Sequence, residues 1–145
     1  AVTANAYRGA LDSLSQSGKD WKCPAWVLEE LNKISHRNYS QGFYMGRPEN
    51  AQTYANAGYV RDYSVAAIVD GYEDGCIVAT LKNKFLKGQE FDCLEPKAKP
   101  FIVTANELYD GNGNAIDSAP HPMMTIKIPY PTPVKKGSLL RMKAD

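Results

Sequence analysis

At 145 residues with 43% hydrophobic and 23% charged side chains, the chain has the profile of one globular domain with room for an appendage. A net charge of +1 excludes the strong, uniform pull toward nucleic acid or membrane that a highly basic chain exerts. No apolar run approaches the roughly 20 residues of a membrane helix, and the opening AVTANAYRGA does not have the pattern of a signal peptide.

In chain order, residues 2–15 suit a helix. Val2, Ala6, Ala10, Leu11 and Leu14 recur at helical spacing, and the segment closes at Gly18. A second helix is predicted from Pro24 to Ile34, with Pro tolerated in the first turn and Trp26, Leu28, Leu31 and Ile34 on an apolar side. These helices carry too few apolar residues for a core of their own, so they must lean on another unit. The stretch Ser35–Gly46, SHRNYSQGFYMG, packs one of two histidines, an Arg and three aromatics into twelve residues. Residues 47–58 are rich in Asn and Ala and read as loop.

From Tyr59 the texture changes to period-2 and continuous apolar runs. Strands are expected at 59–72, 76–83, 89–96, 99–110, 123–129 and 138–145, separated by turn signals at EDG and DGNGN. Six short strands without an intervening helical pattern predict a mainly β fold, a small antiparallel β-barrel whose closure hides strand edges. The segments FLKG (85–88) and VKKG (134–137) each precede a strand, which suggests one tight turn used twice. The organisation expected is a helical connecting arm over 1–35, an aromatic and Arg-containing connector over 36–58, and the barrel domain over 59–145.

The residues offer little for catalysis. Only His36 and His121 could serve as imidazole bases, and His121 lies between prolines in APHPMM, where a loop residue is expected. No nucleophile elbow is present. Cys23, Cys76 and Cys93 form no CxxC pair; the latter two sit in strand contexts, where a free Cys behaves as a small hydrophobe, as in a reduced cytoplasmic protein. Two histidines without His-Glu-x-x-His spacing argue against a zinc hydrolase, and DGNGN lacks the twelfth-position Glu of a calcium loop, so a turn is expected. Catalytic and metal-ligand residues are therefore expected to be none.

Binding is better supported. Seven Tyr and Phe residues fall between Tyr39 and Tyr72, interleaved with His36, Arg37, Arg47 and Arg61, and aromatics beside Arg can stack on bases or anchor a partner. The simpler expectation is packing: Tyr39, Phe43 and Tyr44 seat the connector on the barrel, while His36 and Arg37 fix its path by hydrogen bonds. Residues 127–143 hold five basic residues and no acid, including Lys135 and Lys136, an additional candidate for an anionic partner.

Two separated motifs carry a family resemblance. Ser35, His36, Arg37, Tyr39, Gly42, Phe43 and Tyr44 match a Ser-His-Arg-x-Tyr-(Ser/Thr)-x-Gly-Phe-Tyr pattern. Arg61, Tyr63, Asn83, Lys84, Phe85 and Gly88 match Arg-x-Tyr followed by Asn-(Arg/Lys)-Phe-x-x-Gly. The chain thus resembles the C-terminal region of peptidase family U32, which includes collagenase-like proteases and RNA hydroxylation factors. The resemblance implies a barrel like the second domain of translation elongation factors. It also implies a large N-terminal catalytic domain that this sequence does not contain.

On that basis the chain is expected to be a non-catalytic accessory domain without a cofactor. It would bind or position substrate, or pack on the N-terminal U32 catalytic domain of the same chain; a parent classed as a hydrolase is implied. The alternatives are an RNA-recognition module of a tRNA or rRNA hydroxylation enzyme, and a purely structural or oligomerisation domain. Peptide or structured RNA are the expected partners, not DNA and not membrane, in the cytoplasm. Candidate binding residues are His36, Arg37, Tyr39, Phe43, Tyr44, Arg61, Tyr63, Lys135 and Lys136.

Overall fold

The computed structural model describes residues 1–36, 43, 44, 46 and 60–144. Among these residues two α-helices, α1 (Val2–Ser17) and α2 (Ala25–Asn32), precede nine strands. These are β1 (Tyr63–Glu73), β2 (Cys76–Leu81), β3 (Phe85–Leu86), β4 (Glu90–Leu94), β5 (Phe101–Thr104), β6 (Tyr109–Asp110), β7 (Ser118–Ala119), β8 (Thr125–Pro129) and β9 (Leu139–Lys143). Seven form one antiparallel sheet in the order β5-β4-β9-β1-β2-β8-β6, and β3 pairs with β7 separately. The fold is mainly β, a sheet curled into a half-barrel.

The curl begins in β1. This strand carries two bulges, at Ala66 opposite β9 and at Asp70 opposite β2, and each extra residue bends the strand and increases its twist. Alternation then sorts the side chains. Ala67, Val69, Ile77, Ala79, Leu81, Phe91, Val103, Ile126, Ile128 and Leu140 turn inward and are buried. The Phe85 and Phe91 rings meet edge-on at 4.8 Å at the core. The β1–β2 hairpin turns through Asp74 and Gly75, both at positive φ (50° and 78°), as a two-residue turn matched to strand twist requires.

All six expected strands occur, with two refinements. The run 99–110 splits into β5 and β6: Ala105 N still bonds Gln89 O in register with β4, after which the chain turns and Leu108 is drawn into the core. The two-residue strands β3 and β7 are too short to leave a period in the sequence. The repeated turn is real. Gln89 N donates to Leu86 O (3.1 Å) and Ser138 N to Lys135 O (3.2 Å), with Gly88 at φ 86° and Gly137 at φ 84° in the third position, as a type II turn demands. In both, the residue before the turn unit, Phe85 or Val134, is an inward anchor only 3% exposed.

The helices lie on the outside of the sheet. Ala6 of α1 is fully buried, and Gly9 lets the Trp26 ring of α2 approach α1 closely: a Cβ at Gly9 would stand 2.3 Å from that ring. Trp21 Nε1 donates to Ser13 Oγ (3.1 Å). The amide of Asn5 then clips α1 to the β4–β5 hairpin, donating to Ala98 O (2.9 Å) and accepting from Lys97 N (2.7 Å).

Candidate binding surfaces and family

The strongest polar feature joins α2 to the sheet. Asp92 on β4 and Arg141 on β9 are directly paired across the strands and face outward, opposite Phe91, Cys93 and Leu140. Helix α2 covers them. Arg141 grips Glu30 with both terminal nitrogens (2.8 and 3.0 Å) and also donates to Asp92 (2.9 Å). Lys33 completes the tetrad, 3.0 Å from Glu30 and 2.6 Å from Asp92, with its ammonium 5.2 Å from the centre of the Tyr63 ring. Glu30 is 1% and Arg141 3% exposed, so a buried ion pair forms the centre of the tetrad, and the half-buried Lys33 and Asp92 balance its charge at the edge. Arg141 Nε is left without a partner among the described residues.

Burial, the largest single influence, pushes Glu30 upward. The hydrogen bonds and charges of Arg141 and Lys33 together outweigh it and hold the carboxyl below its ordinary 4.5. Lys33 mirrors this: burial depresses it, while the bonds to Asp92 and Glu30 raise it above 10.5. Beside the tetrad opens a cleft of about 290 Å³ walled by Trp26, Tyr63, Phe101 and Ile102.

The sequence-predicted site residues scatter. His36 is half-buried; its Nδ1–H donates to Ile34 O (2.6 Å), and its backbone forms a two-way bridge with Val60 (3.1 and 2.8 Å). Phe43 and Tyr44 do not pack on the barrel as expected. They sit on a turn closed by Gly46 N to Phe43 O (3.2 Å), which carries both rings outward to 76% and 91% exposure. Arg37 and Tyr39, and the loop reading of residues 47–58, lie outside the described residues. Arg61 is exposed and Tyr63 borders the cleft. Lys135 is engaged by Glu95 through both backbone N (2.9 Å) and ammonium (3.2 Å), whereas Lys136 projects from the type II turn.

The tetrad leaves no motif in the sequence. An Arg between Leu140 and Met142, and an Asp between Phe91 and Cys93, look like outward residues of half-exposed strands. Only knowing that α2 crosses these two strands turns them into a buried pair.

For nucleophilic chemistry the described residues are poorly placed. The Cys93 thiol is fully buried and pushed up to about 12, first by burial and then by the charges of Glu95 and Asp92, so it is not a thiolate at neutral pH. His121 is exposed in its loop. Asp110, at the DGNGN turn, spends its carboxylate on Asn112 N, Asn114 N and the Asn114 amide (2.9–3.0 Å), hydrogen bonds that lower its pKa and close the turn. No helix of the described residues is long and apolar enough to cross a membrane.

A curled antiparallel sheet with a helical arm locked to its outer face by a buried ion tetrad defines a small β module. Its family is established by comparison: residues 61–141 match the model of the peptidase family U32 C-terminal domain, and the chain belongs to that family. It is 25% identical over 144 residues to tRNA hydroxylation protein P1 of Bacillus subtilis, covering 97% of this chain and 34% of that protein. It is 29% identical over 150 residues to tRNA hydroxylation protein P of Escherichia coli, covering 99% of this chain and 31% of that protein. The chain therefore spans about a third of the length of these relatives. Two crystal structures of the C-terminal domain of a U32-family protein from Geobacillus thermoleovorans align with TM-scores of 0.51 and 0.50 at 26% and 25% identity. They cover 55% and 56% of this chain and 99% and 92% of their own.

Proposed function

We propose that this chain is the accessory, RNA-engaging module of a U32-family tRNA hydroxylation protein, contributing no catalytic group of its own. The observation that carries this reading is the match to two tRNA hydroxylation proteins over nearly the whole chain, arm and barrel together. The paucity of nucleophile–base pairs among the described residues supports placing the chemistry elsewhere in the longer polypeptide. So does the way this chain spends its buried charges on joining α2 to the sheet. The division into arm (1–35), connector (36–58) and barrel (59–145) belongs to the same reading, as do a cytoplasmic setting and structured RNA as the partner. A peptide-positioning role rests on the family name alone.

The test is a graft. The matching third of the Escherichia coli tRNA hydroxylation protein P is deleted, or replaced by this chain, and hydroxylated tRNA nucleosides are measured by mass spectrometry. The proposal expects the truncated protein to lose hydroxylation and the graft to restore it at least in part. Full hydroxylation by the truncated protein would remove the need for an accessory role.

A further inference from the structure

One end of the sheet gathers features that the sequence keeps apart. The first bulge of β1 leaves Ala66 O facing the segment after β2, where it accepts Lys82 N (2.7 Å) and Asn83 N (3.1 Å). The Asn83 amide donates to Val65 O (2.7 Å). Both motif halves, Arg61/Tyr63 and Asn83/Lys84, are thereby tied to one end of β1. Arg61 is four residues from Val65, roughly 13 Å at the usual strand rise. Lys143 is directly paired with Tyr63 on the neighbouring strand.

Arg61, Lys84 and Lys143 are exposed and make no ion pair among the described residues. Among the described residues, the Lys82 ammonium has only a thioether partner, Met123 Sδ at 3.3 Å. A sulfur is a weak acceptor, so a phosphate oxygen would be a better partner.

Met123 is itself out of the ordinary. It holds φ 68°, a left-handed conformation that a side chain of this size rarely adopts, and it is 68% exposed. The strain is maintained by Met123 N to Leu81 O (2.8 Å) and Leu81 N to Met124 O (2.9 Å). Bulges and maintained strain of this kind recur beside functional sites. Among the described residues, the acids at this end are Asp62, whose carbonyl takes Ala144 N, and Glu90 at the start of β4, fewer than the four cations.

We infer that Arg61, Lys82, Lys84 and Lys143, with the Met123 tip beside them, form the surface that holds the phosphate backbone of an RNA. This inference rests on the RNA reading of the module and moves its contact surface away from Lys135 and Lys136. Those two lysines lie before the opposite end of β9, roughly 15 Å or more along the strand, and Lys135 already has Glu95. Ammonium and guanidinium groups spaced along one rim suit a sequence-independent grip on phosphates.

The experiment titrates unfractionated tRNA, followed by fluorescence anisotropy from 50 to 200 mM salt, into three proteins: the chain itself, its Arg61→Glu/Lys82→Glu/Lys84→Glu variant, and a Lys135→Glu/Lys136→Glu variant. Far-UV circular dichroism and thermal melting verify folding, and Arg61→Gln/Lys82→Gln/Lys84→Gln serves as a milder second set. The first variant is expected to bind at least tenfold more weakly at 50 mM salt. Its plot of log affinity against log salt should be shallower by about 2, since every phosphate left unneutralised takes roughly 0.7–0.9 off the slope. The Lys135/Lys136 variant should shift less than threefold. Equal losses in both variants, or no loss in the first, would overturn this surface while leaving RNA binding standing. No binding by the unmodified chain at 50 mM salt would overturn the RNA reading and the surface together.

Discussion

Arg141 is the residue on which the arm's attachment turns. Removing it strands Glu30, 1% exposed, as a buried carboxylate with only Lys33 beside it. Breaking one partner of a buried pair costs about 3–5 kcal/mol, whereas replacing both with apolar groups of similar volume is often neutral. Arg141→Met should therefore lower the free energy of unfolding in urea by about that amount, and Glu30→Leu/Arg141→Met should recover most of it. The pH dependence has a definite sign. Glu30 is depressed in the folded state, so its contribution is complete above pH 4.5 and is lost as pH falls through the lower folded value. Lys33 is raised, so its contribution is complete below pH 10.5 and is lost as pH climbs through the higher folded value. The contribution of Glu30 and Lys33 should be flat between those limits and fall at both ends, the buried Cys93 thiol should add a loss that begins near pH 9, and the double variant should show a weaker acid limb. None of this is legible in the sequence, because a buried ion pair between residues 30 and 141 leaves no local pattern.

At the scale of elements, the sequence is most informative where a backbone requirement selects the residue. The EDG hairpin, the Gly18 helix stop and the paired FLKG and VKKG turns are all readable because positive φ favours Gly. Strands β3 and β7, two residues each, carry no period from which a strand could be read. The outward Phe43 and Tyr44 show the limit of composition: aromatic density in a connector does not say which rings find a surface. A helix-interior Gly tests how α1 and α2 meet. Gly9→Ala would ordinarily stabilise a helix by up to about 1 kcal/mol. Here the added methyl would collide with Trp26, so the variant should instead lose about 1–3 kcal/mol in thermal or chemical unfolding, with a change in Trp fluorescence. A stabilised variant would mean that Trp26 does not pack against α1.

At the scale of the molecule, the curled sheet is the frame and the two helices are fixed to its outer face. The Geobacillus structures align with little more than half of this chain, yet the Bacillus and Escherichia proteins match it almost end to end. The clamp between Glu30, Lys33, Asp92 and Arg141 is what makes arm and sheet one body. A small net charge of +1 does not preclude RNA contact, because a few cations at one end of β1 act locally and over about a Debye length, near 10 Å at 0.1 M salt. Fold class and family are readable from strand spacing and two separated motifs. The surface is not, since it forms only when the β1 bulge ties Val65 and Ala66 to Lys82 and Asn83.

The measurement closest to the central claim is the affinity of the unmodified chain for tRNA as salt is raised from 50 to 200 mM. The account predicts saturable binding at 50 mM that weakens steeply and linearly on a log–log plot, with a slope of about −2 to −4 for a handful of phosphate contacts. Absence of binding at the lowest salt, or an affinity indifferent to salt, would contradict it.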